Sequence, residues 1–454
     1  MATISGSLLE KIQNRRARAG VVGLGYVGLP LAVEFADAGL HTTGIDLDER
    51  KVACITGGSS YIPDVPDAEV ARLRAAGTLD ATTDFSVVSQ LDTINICVPT
   101  PLRKTRDPDM SYIVSAVQSI AAHLHPGMLI CLESTTYPGT TDEVVQPILE
   151  ATGLTIGEDV YLAFSPERVD PGNATFHTKN VPKVVGGVTP ECLKLATALY
   201  SCAVDTVVPV SSTRVAEMVK LLENTFRAVN IGLVNELALM CDRMNLDIWE
   251  VVEAAKTKPF GFMAFYPGPG LGGHCIPIDP FYLSWKAKQS GFDPRFIELA
   301  GHINGSMPHY VAEKVGDALN TRRKSINGAK ILIAGVAYKR DIDDMRESPA
   351  LDLMGLLQAK GAEVSYVDPY VPEVHAREWP GKTTLKSVEL APGLFARYDC
   401  VVIATDHRVF DYQGIVAEAS LIVDTRNAIR ESAPHVFKLG ARGPAPTQAI
   451  VGAP

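Results

Sequence analysis

The chain has 454 residues, of which 46% are hydrophobic and 21% are charged, so two or three globular domains are expected. Its 42 basic and 52 acidic residues give a net charge of −10, which argues against a nucleic-acid binder held by phosphate contacts. The eight scattered cysteines form no CxxC pair, so neither a disulfide framework nor a structural zinc is predicted. Because we find no signal-like N-terminus and no apolar run near the roughly 18 residues of a membrane span, we expect a cytoplasmic protein.

A glycine-rich turn is the first informative motif. After a short polar helix expected over residues 1–18, the run Ala19-Gly-Val-Val-Gly-Leu-Gly-Tyr-Val-Gly28 predicts a strand that leads into GxGxxG. Leu29–Ala38 has helical character, and His41–Ile45 predicts a second strand ending at Asp46. This context is the dinucleotide fingerprint, in which the pyrophosphate lies on the helix N-terminus. Asp46 would accept hydrogen bonds from the ribose and repel a 2′-phosphate, so the sequence predicts NAD rather than NADP.

The predicted NAD contacts lie in and just after this turn. They are Gly23, Gly25, Tyr26, Val27, Gly28 and Asp46. Lys51 would reach the adenosine side; the alternative is an ordinary exposed lysine on a helix, because most lysines are exposed.

Three further buried strands are predicted at Leu91–Val98, Met128–Leu132 and Val160–Phe164. Ligands of open α/β sheets bind beyond the carboxyl ends of the strands, so the polar residues that follow are site candidates. These residues are Thr100, Thr135 and Glu167. A plain surface acid is the alternative for Glu167.

A long helix is predicted from Ser212 to about Cys241. Lys220 and Asn224 are four residues apart and share one face of an otherwise apolar stretch. Lysine is seldom buried without a partner, so Lys220 either extends to solvent or serves a site. The apolar character of so long a helix also suggests a connector or a dimer interface.

The stretch Pro267–Pro280 combines glycines with a thiol and a carboxylate, Cys275 and Asp279. Glycines permit positive φ angles and close approach of a ligand. A thiolate beside a glycine-lined pocket would be able to form a covalent intermediate. The alternative is a Gly/Pro loop with a buried cysteine acting as a small hydrophobe.

A second series of strands follows a helix predicted at Gly301–Leu319. The strands are predicted at Ala329–Gly335, Glu363–Val367, Cys400–Ala404 and Leu421–Asp424, with a crossover helix at Pro349–Lys360. The first turn of this series reads GVAYK and lacks GxGxxG, so a ligand other than a dinucleotide is expected there. The predicted fold is therefore α/β, with two Rossmann-like doubly wound domains joined by a long central helix.

A series of motifs in this order resembles the NAD-dependent nucleotide-sugar 6-dehydrogenases, a family that acts on UDP-glucose, GDP-mannose and UDP-N-acetylhexosamines. The resemblance covers about residues 19–430. The motifs are Gly23-Leu-Gly-Tyr-Val-Gly28, Val98-Pro-Thr-Pro101, Glu133-Ser-Thr-Thr-Tyr-Pro-Gly139, Ser165-Pro-Glu-Arg168, Lys220 with Asn224, Gly270-Leu-Gly-Gly-His-Cys-Ile-Pro-Ile-Asp279, Gly335-Val-Ala-Tyr-Lys339, Arg346-Glu-Ser-Pro349 and Asp424-Thr-Arg426. The Gly-Gly-His-Cys-Ile-Pro form looks like the UDP-N-acetylglucosamine branch, whereas the UDP-glucose branch typically has Phe-Gly-Gly-Ser-Cys.

The resemblance implies a domain order. It gives an NAD-binding Rossmann domain at 1–210, a central helical and dimerisation domain at 211–320, and a nucleotide-sugar-binding domain at 321–441. The central domain contains the stretch Pro267–Pro280, which we call the cysteine loop. Residues 442–454 are predicted to be a flexible tail. A homodimer or higher homo-oligomer is expected, with neither nucleic acid nor membrane as a partner.

The resemblance also implies oxidation of an alcohol to a carboxylate with two NAD⁺ per sugar. Lys220, Asn224 and Asp279 would position C6 and stabilise an oxyanion, and Cys275 would hold the aldehyde as a thiohemiacetal and then a thioester. Asp279, Thr135 and Glu167 would orient the hydrolytic water.

The remaining site residues also follow from the resemblance. The implied substrate contacts are Glu167, Lys220, Asn224, Gly270, Gly272, Gly273, Lys339 and Arg426. The implied NAD contacts beyond the glycine turn are Thr100, Thr135 and Arg346. No metal is assigned, because no other Cys or His has zinc-site spacing with His274 and Cys275.

Other functions remain open at the level of the sequence. A UDP- or TDP-glucose 6-dehydrogenase is the nearest alternative, although residues 168–172 lack the second glutamate that some glucose enzymes have there. A two-electron β-hydroxyacid dehydrogenase would need neither Cys275 nor a second α/β domain. A non-enzymatic NAD sensor would have no use for Lys220, Asn224 and Asp279.

Overall fold

The computed structural model describes residues 4–102, 107–170, 173, 175–273, 275–376, 379, 381 and 383–441. His274 and the predicted tail at 442–454 lie outside these residues. The chain divides into two units: Met1–Glu223 with Phe281–Phe292, and Asn224–Pro280 with Asp293–Pro454. Each unit is described by itself below.

The sheet of the first unit has eight strands among the described residues. They are β1 (Arg18–Val22), β2 (His41–Ile45), β3 (Leu79–Thr82), β4 (Thr93–Ile96), β5 (Leu129–Leu132), β6 (Tyr161–Phe164), β7 (Lys183–Gly187) and β8 (Val207–Val210). Their spatial order is β3-β2-β1-β4-β5-β6-β7-β8, and all neighbours are parallel except the β6–β7 pair. The first six strands follow the order of dinucleotide-binding sheets, with the direction of winding reversing between β1 and β4.

Helices accompany this sheet, and its central strands are buried at every position, as is usual for parallel strands covered on both faces. The helices are α1 (Ile4–Gln13), α2 (Gly28–Asp37), α3 (Glu49–Thr56), α4 (Asp67–Ala76), α5 (Ser111–Ala121), α6 (Gln146–Glu150) and α7 (Pro190–Tyr200). The N-terminal helix is shorter than predicted and amphipathic rather than simply polar, because Leu8 and Ile12 are buried where α1 packs on α7.

The long central helix, α8, runs over Thr213–Met244, slightly beyond its predicted end. It is followed by α9 (Ile248–Lys256), α10 (Asp279–Gln289) and α11 (Arg295–Thr321), the last of which begins six residues before the helix predicted at 301. In the second unit α8 and α11 approach closely at Gly232, where a Cβ would lie 3.2 Å from the Cα of Ala300. The amide of Asn304 donates to the carbonyl of Ala228 (3.0 Å), which fixes this contact between the two helices.

The second unit contains a five-stranded parallel sheet among its described residues. The elements that follow α11 are β9 (Lys330–Ala334), α12 (Pro349–Ala359), β10 (Glu363–Val367), β11 (Glu373–Val374), β12 (Leu385–Lys386), β13 (Cys400–Ile403), α13 (Tyr412–Glu418), β14 (Ile422–Asp424) and β15 (Val436–Lys438). The sheet order is β10-β9-β13-β14-β15, while β11 and β12 form a separate antiparallel pair. Winding reverses between β9 and β13, so a ligand crevice is expected beyond the ends of these two strands.

The end of the described chain is fixed to the helices of the second unit. The indole N–H of Trp249 donates to the carbonyl of Leu439 (2.8 Å), and the ammonium of Lys314 donates to that of Ala441 (3.1 Å). These bonds join α9 and α11 to the segment after β15. The two α/β sheets and the long helix between them are thus the architecture that the sequence predicted, although β3, β7, β8 and β15 were not among the predicted strands.

Two glycines of the first turn are expected to have different roles. Gly28 is needed for the fold, and Gly25 allows a ligand to approach the backbone. A Cβ at Gly28 would lie 1.8 Å from the carbonyl oxygen of Gly23, whereas one at Gly25 would meet nothing within 4 Å. We expect Gly28→Ala to lower the free energy of unfolding by about 3 kcal/mol or more, because the backbone must move. Gly25→Ala should change it by less than about 0.5 kcal/mol, but weaken the binding of NAD.

Urea unfolding and calorimetric titration with NAD⁺ measure the two effects. A destabilised Gly25→Ala variant, or one that binds NAD⁺ as tightly as the wild type, would contradict the assignment of Gly25 to the dinucleotide.

Candidate active site

The glycine turn of the first unit lies at the point where the sheet reverses its winding. Gly23 has φ +89°, and a Cβ there would lie 2.7 Å from the carbonyl oxygen of Cys97, just after β4. The next residue, Leu24, donates its N–H to Asp46 Oδ2 (2.8 Å). The turn is therefore fixed between the ends of β2 and β4, with the Cβ side of Gly25 open.

Asp46 and Lys51 form an ion pair beside this turn. Lys51 Nζ lies 3.0 Å from Asp46 Oδ2, and the Lys51 side chain is only about one-third exposed. Asp46 Oδ1 also accepts from the N–H of Asp48 (2.9 Å). Lys51 is thus paired and partly exposed, and it lies next to the predicted ribose-binding carboxylate.

Thr100 and Thr135 are both buried, in the segments that follow β4 and β5. The carbonyl of Thr100 accepts from the hydroxyl of Tyr282 on α10 (2.9 Å). The segment with Thr135 is joined to the segment that contains Thr100, since Ser134 Oγ donates to the carbonyl of Val98 (2.8 Å). Both predicted residues therefore belong to one cross-linked edge of the sheet.

Glu167 is part of a buried group of charges. Lys183 Nζ lies 2.5 Å from Glu133 Oε2 and 3.0 Å from Glu167 Oε2, and all three side chains are at least nine-tenths buried. Glu133 Oε1 further accepts from the amide of Asn95 and the hydroxyl of Tyr200, each at 2.7 Å. The surface-acid alternative for Glu167 is therefore wrong.

The environment of Glu167 keeps it ionised. Burial alone would raise the pKa of its carboxyl, but the charge and hydrogen bond of Lys183 and the backbone N–H groups of Val169 and Arg168 lower it. Those two N–H groups donate to Oε1 at 2.8 and 2.7 Å. An ionised carboxylate accepts hydrogen bonds and does not donate a proton, so Glu167 is suited to orienting a water or a hydroxyl group.

On α8, Lys220 is buried, with only 7% of its surface exposed, so it does not extend into solvent. One turn earlier on the same helix lies Glu217, which is also buried. Its carboxylate accepts from the N–H of Gly139 (2.6 Å), and from the N–H and hydroxyl of Thr141 (2.9 and 2.7 Å). Glu217 therefore ties the helix that bears Lys220 to the loop that follows Thr135.

In the second unit, Asn224 and Asp279 are hydrogen bonded. The amide of Asn224 donates to Asp279 Oδ2 (2.6 Å), and Asp279 is almost completely buried. Asp279 is the first residue of α10, and its N–H donates to the carbonyl of Cys275 (2.8 Å). Cys275 is half-buried, and so retains the access that a nucleophile needs. The thiol of Cys275 thus lies one helical turn before Asp279, whose carboxylate is hydrogen bonded to Asn224 on α8.

Three glycines of the cysteine loop lie where neighbouring protein atoms leave no space for a side chain. Gly270 and Gly273 have φ +143° and +91°. A Cβ at Gly272 or Gly273 would lie 2.6 or 2.8 Å from atoms of Tyr338, and one at Gly270 would lie 2.8 Å from Pro349. This packing explains the glycines independently of any ligand, and their predicted contact with the substrate stays a prediction.

The two ends of the glycine run are also fixed. Gly268 donates its N–H to Asn235 Oδ1 on α8 (3.0 Å), and Gly273 donates to the carbonyl of Arg346 (3.0 Å). The guanidinium of Arg426 lies against Gly268, where a Cβ would be 2.7 Å from Nη1. Arg426 is therefore next to the cysteine loop, and its Nε donates to the carbonyl of Ala404, beyond the end of β13.

Lys339 and Arg346 lie in the segment between β9 and α12. Lys339 follows the turn at Gly335. This glycine has φ +82°, and a Cβ added to it would clash with Thr405, which lies beyond β13. The guanidinium of Arg346 pairs with Asp344 (2.6 Å). Lys339 thus lies in the loop at the winding reversal of the second sheet, where a ligand of this sheet is expected.

Sequence reasoning missed three of the buried polar residues, Glu133, Lys183 and Glu217. Lys183 carried a usable signal: it begins the apolar strand Lys183-Val-Val-Gly-Gly187, and buried lysines are rare without partners. The burial of Glu217 has no comparable signal, because an acidic residue in the first turns of a helix is ordinary.

All eight cysteines are described, and none of them forms a disulfide bond within the described part of the chain. Within the described part of the chain, no three His, Cys, Asp or Glu side chains are arranged as ligands for a metal ion. Over the same residues, no helix combines the length and the apolar character needed to cross a bilayer.

Comparison with known proteins extends over most of the chain. Three models of the UDP-glucose/GDP-mannose dehydrogenase family match it: the NAD binding domain at 17–204, the central domain at 214–306 and the UDP binding domain at 332–431. The chain is 35% identical over 399 residues to UDP-N-acetyl-D-glucosamine 6-dehydrogenase of Pseudomonas aeruginosa, which covers 87% of this chain and 92% of that protein.

Two further comparisons concern a protein of Pyrococcus horikoshii. Its UDP-N-acetyl-D-mannosamine dehydrogenase is 36% identical over 421 residues, or 91% of this chain and 96% of that protein. The solved structure of the UDP-D-ManNAc dehydrogenase from the same organism matches with a TM-score of 0.85 and 34% identity, covering 93% of this chain and 99% of that one. The chain therefore belongs to the UDP-glucose/GDP-mannose dehydrogenase family and is an NAD-dependent nucleotide-sugar dehydrogenase.

Proposed function

We propose that the chain oxidises C6 of UDP-N-acetylglucosamine, or of another UDP-N-acetylhexosamine, from the alcohol to the carboxylate. The observation that carries this proposal is the half-buried thiol of Cys275, one turn before Asp279, whose carboxylate accepts from Asn224. The names of the relatives support an N-acetylhexosamine, since they include both glucosamine and mannosamine enzymes.

The first unit fits NAD. The Cβ side of Gly25 is open, and the turn leads into α2 at Gly28, whose first N–H groups suit a pyrophosphate. The proposed contacts in this unit are Gly23, Gly25, Tyr26, Val27, Gly28, Asp46, Lys51, Thr100 and Thr135. Arg346, which belongs to the second unit, is a proposed NAD contact on the strength of the resemblance alone. When bound, NAD⁺ accepts the hydride that the substrate carbon gives up.

The first oxidation transfers a hydride from C6 to NAD⁺ and releases the proton of the C6 hydroxyl group to water. Lys220, Asn224 and Asp279 orient this hydroxyl, and the ammonium of Lys220 and the amide of Asn224 stabilise the oxyanion as the proton leaves. The product of this step is an aldehyde at C6.

The second oxidation requires Cys275. Its sulfur adds to the aldehyde carbon to form a thiohemiacetal. This adduct becomes a thioester when its carbon gives a second hydride to a second NAD⁺ and its hydroxyl group releases a proton to water. The covalent bond prevents release of the aldehyde between the two oxidations.

Hydrolysis completes the sequence. Water attacks the thioester carbon and the C–S bond breaks, which restores the thiol and yields the carboxylate. Asp279, Thr135 and Glu167 orient this water. Glu167 does so as an ionised acceptor, since Lys183 and two backbone N–H groups lower its pKa.

The substrate contacts that we propose outside this machinery lie in two segments of the second unit. Lys339 lies in the loop after β9, and Arg426 lies beyond β14 next to Gly268. Gly270, Gly272 and Gly273 offer backbone groups beside them. A match to a UDP binding domain over 332–431 supports this assignment, and a two-electron β-hydroxyacid dehydrogenase or an NAD sensor would have no need of such a domain.

Stoichiometry and sugar preference test the proposal directly. We expect two NADH per sugar acid, and the highest kcat/KM with a UDP-N-acetylhexosamine in a panel that also contains UDP-glucose and TDP-glucose. Absorbance at the NADH band and mass spectrometry of the product measure both. One NADH per sugar would exclude the four-electron reaction, while preference for a glucose nucleotide would favour the alternative 6-dehydrogenase.

Cys275→Ser should retain the fold and the binding of both ligands, because serine is nearly isosteric with cysteine. We expect steady-state activity to fall about a thousandfold or more, the scale typical of losing a nucleophile. Cys54→Ser is the matched control, since Cys54 is also a half-buried thiol, but one on α3. Wild-type kcat in Cys275→Ser would show that Cys275 is only a packing residue.

We further propose that two copies of the chain associate through α8. In the second unit this helix exposes Phe226, Leu233, Met240 and Met244, and the start of α11 exposes Phe296 and Leu299. Apolar side chains exposed at this density mark an interface rather than a solvated face.

Leu233→Glu should therefore convert a dimer into a monomer, because the interface would have to bury a carboxylate without a partner. Light scattering coupled to size exclusion measures the mass. Lys360→Glu, at an exposed site after α12, is the control for added negative charge. A wild-type chain of monomer mass would overturn this part of the proposal.

A further inference from the structure

Asp368, at the end of β10, is the counterpart in the second unit of Asp46 at the end of β2. Its Oδ2 accepts from the N–H groups of Val336 and Ala337 (2.7 and 3.1 Å), in the turn after β9. Its Oδ1 accepts from the N–H groups of Tyr370 and Val371 (2.9 and 3.1 Å). This fully buried carboxylate is therefore occupied by the protein, and does not serve a ribose as Asp46 is proposed to do.

His407 completes the surroundings of Asp368. The His407 side chain is fully buried, and its Nε2 lies 3.0 Å from Asp368 Oδ2. Its Nδ1 accepts from the N–H of Asp341 (2.9 Å). Because Nδ1 accepts, the ring proton lies on Nε2, which donates to Asp368. The rings of Tyr370 and Phe410 flank it, with centroids 5.0 and 5.5 Å away.

The loop at 335–341 is thus held at both ends. At its start, Asp368 binds two N–H groups, and Thr405 Oγ1 donates to the carbonyl of Ala337 (2.5 Å). At its far end, Asp341 has φ +61°, a conformation that is uncommon for a non-glycine residue and needs support from its surroundings. His407 provides that support, together with Arg408, which donates its N–H to Asp341 Oδ1 (2.9 Å).

Between these two anchors lie Tyr338 and Lys339. The ring of Tyr338 lies against Gly273 of the cysteine loop, where a Cβ would be 2.8 Å from its Cε2. Lys339 is the next residue and the proposed contact to the nucleotide sugar. Displacement of the Asp341 end would therefore move Lys339.

We propose that His407 is a positioning residue for nucleotide-sugar binding, and that it acts by holding Asp341, and with it the loop that presents Lys339. This inference rests on the proposed function insofar as Lys339 contacts the nucleotide. His407 itself is buried and does not touch the ligand. The bond from Asp341 N–H to Nδ1 is the anchor, and the bond from Nε2–H to Asp368 orients the ring.

Two polar substitutions of His407 each remove one of these two hydrogen bonds and can keep the other. His407→Asn can keep an acceptor near the position of Nδ1 but does not reach Asp368. His407→Gln can keep a donor near the position of Nε2 but offers no acceptor to Asp341. With the full-length chain and UDP as the probe, we expect the Kd for UDP to rise about tenfold or more in His407→Gln, the scale of one lost hydrogen bond. In His407→Asn it should stay within about threefold of the wild type.

Three readouts distinguish positioning from a general loss of stability. Titration with UDP, titration with NAD⁺ and thermal unfolding are measured on each variant, and Ile415→Val, in the buried core of the same unit, is the control for weakened packing. We expect the Kd for NAD⁺ to be unchanged throughout, and Ile415→Val to lower the melting temperature without changing the Kd for UDP.

The inference is overturned if His407→Gln unfolds at a lower temperature but binds UDP as the wild type does. Equal weakening by the Gln and Asn substitutions would overturn the assignment of the Asp341 bond as the anchor. A wild-type chain that does not bind UDP would overturn the proposed function as well, so the two failures are distinguishable.

Discussion

In both α/β sheets, a carboxylate at the end of the second strand binds the backbone of the turn after the first strand. Asp46 accepts from Leu24, and Asp368 accepts from Val336 and Ala337. Parallel strands place their carboxyl ends on one edge, so a carboxylate at this position can satisfy N–H groups that the turn leaves unpaired. The bond therefore fixes each turn at the edge of its sheet where ligands of open α/β sheets are expected.

The same bond leads to different chemistry in the two units. Around Asp46 the charged partner is Lys51, and in the adjacent turn the Cβ side of Gly25 is open. Around Asp368 the neighbours are a buried histidine and a complete set of backbone donors, which close the position. The carboxylate in the NAD binding domain is thus paired with a lysine, whereas that of the second sheet is enclosed by a histidine and backbone donors.

Buried charge fixes the edge of the first sheet that bears Glu167. Lys183 lies between Glu133 and Glu167 in a region without solvent, and removing one partner from such a group typically costs about 3–5 kcal/mol. The group is weak as a source of net stability, since desolvation offsets most of the attraction. Its effect is geometric: the carboxylate of Glu167 has one orientation and one charge state. Glu217 likewise fixes the position of the start of α8, by accepting hydrogen bonds from the loop after Thr135.

The sequence by itself determined the elements whose patterns are local. The glycine turn, the strands β2 and β10, the long helix and the order of the motifs around Cys275 all follow from hydrophobic periodicity and from residue types at fixed spacing. The motifs also indicated the family. These features need no knowledge of distant contacts, because each depends on neighbours within a few residues.

Only the tertiary structure decided the partners of the buried polar groups. Lys183 is hydrogen bonded to Glu133, which is 50 residues away in the sequence, and His407 is hydrogen bonded to Asp341, which is 66 residues away. No local sequence pattern therefore predicts either pair. The glycines of the cysteine loop were expected to favour a ligand, yet packing against Tyr338 and Pro349 already requires several of them. The role of a buried charge or of a glycine depends on the atoms that surround it in space, and only folding brings those atoms together.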